Sequence, residues 1–192
     1  MSARREELTR IAARLFAERG YQGTSLADLA AELGVQKPSL YHHIASKEDL
    51  LWEACREGAT AFHAALDGLP ADAGAAERIR LALRRHLAVV AEQLDVATVF
   101  VREWRYLEGD RRELFVAERR RYEERIRGLY REGVERGELR TDLDVATAAL
   151  IFLSTANWAY AWLRPGADTD ELADRMFAVL LDGMRGYATP TR

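Results

Sequence analysis

The sequence predicts an all-α protein of about nine helices, and three observations carry that prediction. Apolar residues recur at the i, i+3, i+4, i+7 spacing of a helical face along most of the chain. Capping residues and glycine turns stand where those patterns begin and end. No stretch sustains the apolar–polar alternation of a strand. The patterns sort into an amino-terminal group of three helices over residues 1–46 and a larger helical bundle over 47–192, with a helix over 47–66 connecting them.

The elements follow in order. Residues 3–19 place Leu8, Ile11, Ala12, Leu15 and Phe16 on one face. Ser25 caps the second helix with Asp28 three residues on, and Leu26, Leu29, Ala30 and Leu33 form its apolar side. Gly34 then supplies the left-handed turn that ends it. A short third helix runs over about 38–43, with Pro38 suited to its first turn. Ser46, followed by Asp49, caps the fourth helix, which extends to about Leu66 with Leu51, Ala54, Cys55, Gly58, Ala59 and Phe62 inward.

Beyond the small-residue linker 71–75, Ile79, Leu83, Leu87 and Val90 mark a helix over 76–94. Residues 95–107 read as a shorter helix, and the break at Gly109-Asp110 opens a long charged one to about Arg136, striped by Phe115, Tyr122, Ile126, Leu129 and Tyr130. Asp142 or Asp144 caps the eighth, ending near Trp162 at the Arg164-Pro165-Gly166 turn. The last runs from near Asp168 to about Tyr187.

Composition narrows the function. The net charge of −3 carries no global basic signature, which argues against non-specific coating of nucleic acid. The single cysteine, Cys55, excludes an intrachain disulfide and fits a reducing cytoplasm; on an apolar helical face it reads as a buried, inert thiol. The most apolar run, 145–163, holds Thr147, Ser154, Thr155 and Asn157 and reads as a buried helix rather than a membrane span. Enzymatic chemistry finds little support: no His-Glu-x-x-His run, no Glu-x-x-His pair and no phosphate-cradling glycine loop, so neither metal nor cofactor is expected.

The stretch 24–51 is different. A tight turn joins two short helices, the second with Leu40 and Ile44 directed inward and Gln36, Lys37, Ser39, Tyr41 and His42 outward. Hydrogen-bonding and cationic groups on an exposed helix suit phosphate oxygens and base edges, the arrangement of a helix-turn-helix DNA-binding domain. Lys37 and Lys47 are the only lysines. Lys47 sits in the first turn of its helix, where the macrodipole disfavours a cation, so a phosphate is the expected reason for it. Arg4, Arg5, Lys37 and Lys47 are expected to form a local positive face.

Residues 8–51 resemble the DNA-binding domain of the tetracycline-repressor (TetR) family of bacterial transcriptional regulators: Ala13, Phe16 and Gly20-Tyr21, then Thr24-Ser25, Gly34-Val35, Leu40-Tyr41-His42-His43 and Ser46-Lys47-Glu48. The resemblance implies operator contacts from Thr24, Ser25, Gln36, Lys37, Ser39, Tyr41, His42 and Lys47, with Tyr41 and Lys47 mainly on phosphates. It implies no enzymatic activity.

A single short reader covers too few base pairs, so a homodimer through the last two helices is expected to bind double-stranded operator DNA. Ala148, Phe152, Ala156, Ala159 and Leu163 form one candidate stripe; Leu172, Met176, Val179, Leu180 and Gly183 form the other. The aromatic content of the bundle suggests a small-molecule pocket, although an aromatic stripe is more often core. The runs REWRYL from Arg102, EGVERGELRTDLD from Glu132 and NWAYAWLRPG from Asn157 resemble a TetR branch that responds to acyl-CoA thioesters. That resemblance implies an acyl region lined by Phe62, Phe100, Trp104, Tyr122, Asn157, Trp158 and Trp162, with Arg102, Arg105, Arg119 or Arg125 as candidates for CoA phosphates. A lipophilic, drug-like or cationic effector on the same repressor is the alternative.

Overall fold

The computed structural model describes residues 3–164 and 166–184. Among them are nine α-helices and no strand: α1 (Ala3–Arg19), α2 (Leu26–Leu33), α3 (Lys37–Leu40), α4 (Lys47–Asp67), α5 (Ala75–Glu92), α6 (Leu94–Arg102), α7 (Gly109–Glu135), α8 (Val145–Asn157) and α9 (Asp170–Met184). Short 3₁₀ turns follow α6 (Trp104–Tyr106) and α8 (Trp158–Ala161). The sixth and eighth elements are thus shorter than their apolar patterns suggested, each finishing in a tightened turn as helix ends often do. The last three residues of the expected final helix, 185–187, and Pro165 of the expected turn lie outside the described residues.

The local signals form as read. The Ser25 hydroxyl accepts from the Asp28 amide at 3.1 Å while the Asp28 carboxylate accepts from the Ser25 amide at 2.8 Å, a closed capping box. Gly34, at φ 71°, ends α2 in the left-handed region, and the Val35 amide bonds back to the Ala30 carbonyl at 2.9 Å. Ser46 and Asp49 cap α4 reciprocally, at 3.2 and 2.9 Å. Asp144, not Asp142, caps α8 by accepting from Ala146 and Thr147.

The chain divides into two compact units, one of residues 1–61 with 93–119, the other of 62–92 with 120–192. The expected boundary at residue 46 falls inside the first, and α4 and α7 each contribute to both. In the first unit α1 packs on α2 and α6, and α2 on α3, around Leu8, Phe16, Leu29, Leu40, Leu51 and Phe115. Cys55 is fully buried there and burial pushes its thiol pKa up, as expected of an inert core cysteine. In the second, α5 packs on α9 and α8 around Ile79, Leu83, Tyr130, Phe152 and Phe177.

Candidate nucleic-acid interface and effector core

The α2–α3 unit presents its polar tip as the sequence implies. Leu40 and Ile44 are buried, while Gln36, Lys37, Pro38, Tyr41 and His42 are exposed and Ser39 is half-buried. Tyr41 keeps 53% of its surface. An aromatic side chain so exposed, beside a lysine and a histidine, offers much of its ring and hydroxyl to a partner. Ser25 is exposed as well, at the amino-terminal end of α2, where its amide and hydroxyl both meet the Asp28 carboxylate, at 2.8 and 2.6 Å.

Thr24 and Lys47 turn out differently. Thr24 is only 1% exposed; its hydroxyl lies 3.0 Å from the Gly20 carbonyl and 3.2 Å from that of Leu15, one proton shared between two acceptors. So buried, its side chain ties the α1–α2 turn to α1. Lys47 donates to the carbonyls of Tyr21 at 2.7 Å and Thr24 at 2.8 Å, and its ammonium sits 4.1 Å from the centre of the Tyr21 ring. Desolvation accordingly lowers its pKa. Two carbonyls and a π-face explain this lysine without a phosphate. The same turn is held from another side: the buried Glu103 carboxylate accepts from the Tyr21 amide at 2.9 Å, and Tyr106 stacks on the Tyr21 ring at 5.5 Å.

The expected positive face is also reduced. Arg4 binds Glu7 at 2.9 Å and the Leu33 carbonyl, and Arg5 binds Glu53, which also accepts from Thr9. These pairs join α1 to α2 and to α4. The basic character of the reader therefore rests mainly on Lys37.

The aromatic residues named for the effector fall into separate groups. Phe100 and Trp104 belong to the first unit, where both contact Phe115, at 5.1 and 5.9 Å between centroids, and the Arg119 guanidinium lies 4.9 Å over Trp104. Phe62 and Tyr122 belong to the second, buried against a residue that the sequence reading missed, His86. The His86 ring lies 4.5 Å from Phe62 and 6.3 Å from Phe152. Its Nδ1 is 2.9 Å from the Tyr122 hydroxyl. Burial lowers the His86 pKa to about 3. The clue in the sequence was a histidine on the apolar face of α5, between Leu83 and Val90.

Trp158 and Trp162 stand outside this core, 61% and 44% exposed, and Asn157 is half-buried at the end of α8. Of the arginines considered for phosphates, Arg125 is engaged by Asp67 at 2.8 Å and the His63 carbonyl at 3.1 Å, Arg102 lies beside Glu103, and Arg105 donates to the Arg102 carbonyl.

The expected dimer stripe on α8 is inward. Ala148, Phe152, Ala156, Ala159 and Leu163 are all buried within the chain, on the side where α5 packs. The exposed apolar residues are instead Leu150, Ile151 and Trp158 after and along α8, and Val179 on α9, 75% exposed. Leu172, Met176 and Leu180 are half-buried, and Gly183 lies beyond the residues whose packing is described.

The family model "Bacterial regulatory proteins, tetR family" matches residues 8–54, and "Tetracyclin repressor-like, C-terminal domain" matches residues 72–184. Over 188 residues the chain is 32% identical to the HTH-type transcriptional repressor KstR2 of Rhodococcus jostii (strain RHA1), covering 95% of this chain and 92% of that protein. The structure of the ketosteroid transcriptional regulator KstR2 of Mycobacterium tuberculosis superposes with a TM-score of 0.89 at 26% identity, covering 97% of each chain. AibR in complex with isovaleryl coenzyme A and operator DNA superposes with a TM-score of 0.83 at 28% identity, covering 93% of this chain and 98% of that one.

Proposed function

This chain belongs to the tetR family of bacterial regulatory proteins and is a transcriptional repressor rather than an enzyme; on that premise we propose that it holds a palindromic operator as a homodimer and lets go when an acyl-CoA thioester binds its second unit. The observation that carries the DNA half is the exposed tip Gln36–Lys37–Ser39–Tyr41–His42 over a buried Leu40 and Ile44. Ser25 and Tyr41 serve phosphates, and Gln36, Lys37 and His42 reach toward base edges. Two such tips, set roughly 34–36 Å apart by the dimer, read successive turns of one groove. A repressor of this kind works in the cytoplasm, and no described helix is long and apolar enough to cross a membrane.

Lys37→Ala is expected to weaken operator binding and to lower the salt slope of log K by about one unit per reader. Titration of operator binding across several salt concentrations checks this; an unchanged slope removes Lys37 from the interface.

The effector half is supported by AibR, whose structure holds isovaleryl coenzyme A, and by the buried aromatic group Phe62, Tyr122 and Phe152 of the second unit, apolar walls of the kind an acyl chain needs. Release requires that the thioester bind the DNA-incompetent state more tightly, since equal affinity shifts nothing. A hundredfold loss of operator affinity corresponds to roughly 2.8 kcal/mol of coupling. An operator shift assay with acyl-CoAs from short branched to long straight chains tests it. At least one thioester loosens the complex if the assignment holds, and none does if the effector is of another class.

A further inference from the structure

We propose that His86, oriented by Tyr122, recognises the carbonyl oxygen of the effector's acyl group inside the second unit; this rests on the effector reading above. His86 lies on the inner face of α5 among Leu83, Leu87 and Val90 and is 1% exposed. Its Nδ1 meets the Tyr122 hydroxyl at 2.9 Å, whereas its Nε2 is buried with no hydrogen-bond partner among the described residues. Leaving such a nitrogen unmet carries a desolvation cost, and a leucine or phenylalanine there would fill the same core without it. A polar group kept at this expense, walled by Phe62 and Phe152, calls for a partner of its own.

The chemistry of the pair defines that partner. A phenol is the stronger donor and an imidazole nitrogen the stronger acceptor, so Tyr122 donates to Nδ1 and the remaining proton sits on Nε2. His86 therefore offers one N–H, and because burial holds its pKa near 3 the ring stays neutral at cellular pH. A neutral donor among aromatic rings suits a neutral acceptor such as a thioester carbonyl. It does not offset the desolvation of a carboxylate, so the free acid is excluded. Tyr122 is then a positioning residue that fixes the tautomer.

The test is a calorimetric titration of the full-length protein with the tightest acyl-CoA of the panel and with its thioether analogue, in which CH₂ replaces the carbonyl. The wild type is expected to prefer the thioester by about tenfold or more, the worth of one buried hydrogen bond. In His86→Phe and Tyr122→Phe that preference shrinks to about threefold or less, while thermal melting confirms that both fold. Equal binding of the two ligands by the wild type, or full discrimination retained in both variants, overturns the assignment. A long-range ¹⁵N–¹H spectrum of the free protein gives a second reading: protonated Nε2 is expected, and protonated Nδ1 refutes the donor role whatever the effector. If the wild type binds no CoA thioester at all, the effector reading itself falls and takes the carbonyl with it.

Discussion

Lys47→Met is expected to destabilise the protein by about 2–4 kcal/mol and to abolish tight operator binding through loss of structure rather than loss of a phosphate contact. The ammonium holds two carbonyls, of Tyr21 and Thr24, and caps the Tyr21 ring. That ring in turn packs edge-on against Phe16 at 5.2 Å and stacks on Tyr106. Methionine keeps most of the stem's length but donates nothing, leaving the Thr24 carbonyl without this donor, the Tyr21 carbonyl with only the Thr24 amide at 3.3 Å, and the turn before α2 less anchored. The lysine is half-exposed, so the lower end of the range is the better guide. Two measurements separate the explanations. A structural clamp shows as a lowered urea midpoint with the salt slope of the residual binding unchanged. A phosphate contact shows as a slope lower by about one with the midpoint kept.

The paired substitution Ile151→Asp with Val179→Asp is expected to give a folded monomer whose operator affinity falls by about a hundredfold or more, because the second half-site no longer binds as part of one particle. Val179 is largely exposed in the single chain, 75%, and Ile151 about half exposed, 46%, so neither replacement buries a charge in its core. Across a two-fold interface each charge would face apolar surface and its own copy. Sedimentation velocity reports the association state and a thermal melt reports the fold. A dimer that survives both aspartates places the interface elsewhere on the molecule.

Local chemistry was the most legible part of the sequence. Capping boxes at Ser25–Asp28 and Ser46–Asp49 and the turn at Gly34 involve residues within five positions of each other, so propensity and geometry fix them together. The exposed tip followed for the same reason, since Leu40 and Ile44 leave their neighbours only the outer face. The intramolecular partners of Lys47 and Thr24 are not legible in the sequence because they are remote or on the backbone: carbonyls 23 and 26 positions away for the lysine, and those of Leu15 and Gly20 for the threonine. A carbonyl leaves no trace in a residue pattern.

The eighth helix was ambiguous for another reason. Leu150, Ile151, Phe152 and Leu153 are apolar in succession, so more than one face qualifies and only the packing of α5 decides which turns inward. His86 is not distinguishable in the sequence because one histidine in a helical stripe looks like any core residue until both ring nitrogens are placed.

The Glu103 carboxylate grips the Tyr21 amide across 82 positions of chain. On the proposed reading, the placement of the DNA-reading tip depends in part on a stretch far from it in sequence. Genetic screens for repression-defective alleles should return lesions at Glu103 and Tyr106 alongside those in the reading head, and an evolving lineage cannot redesign that distant stretch without retuning its grip on the chromosome.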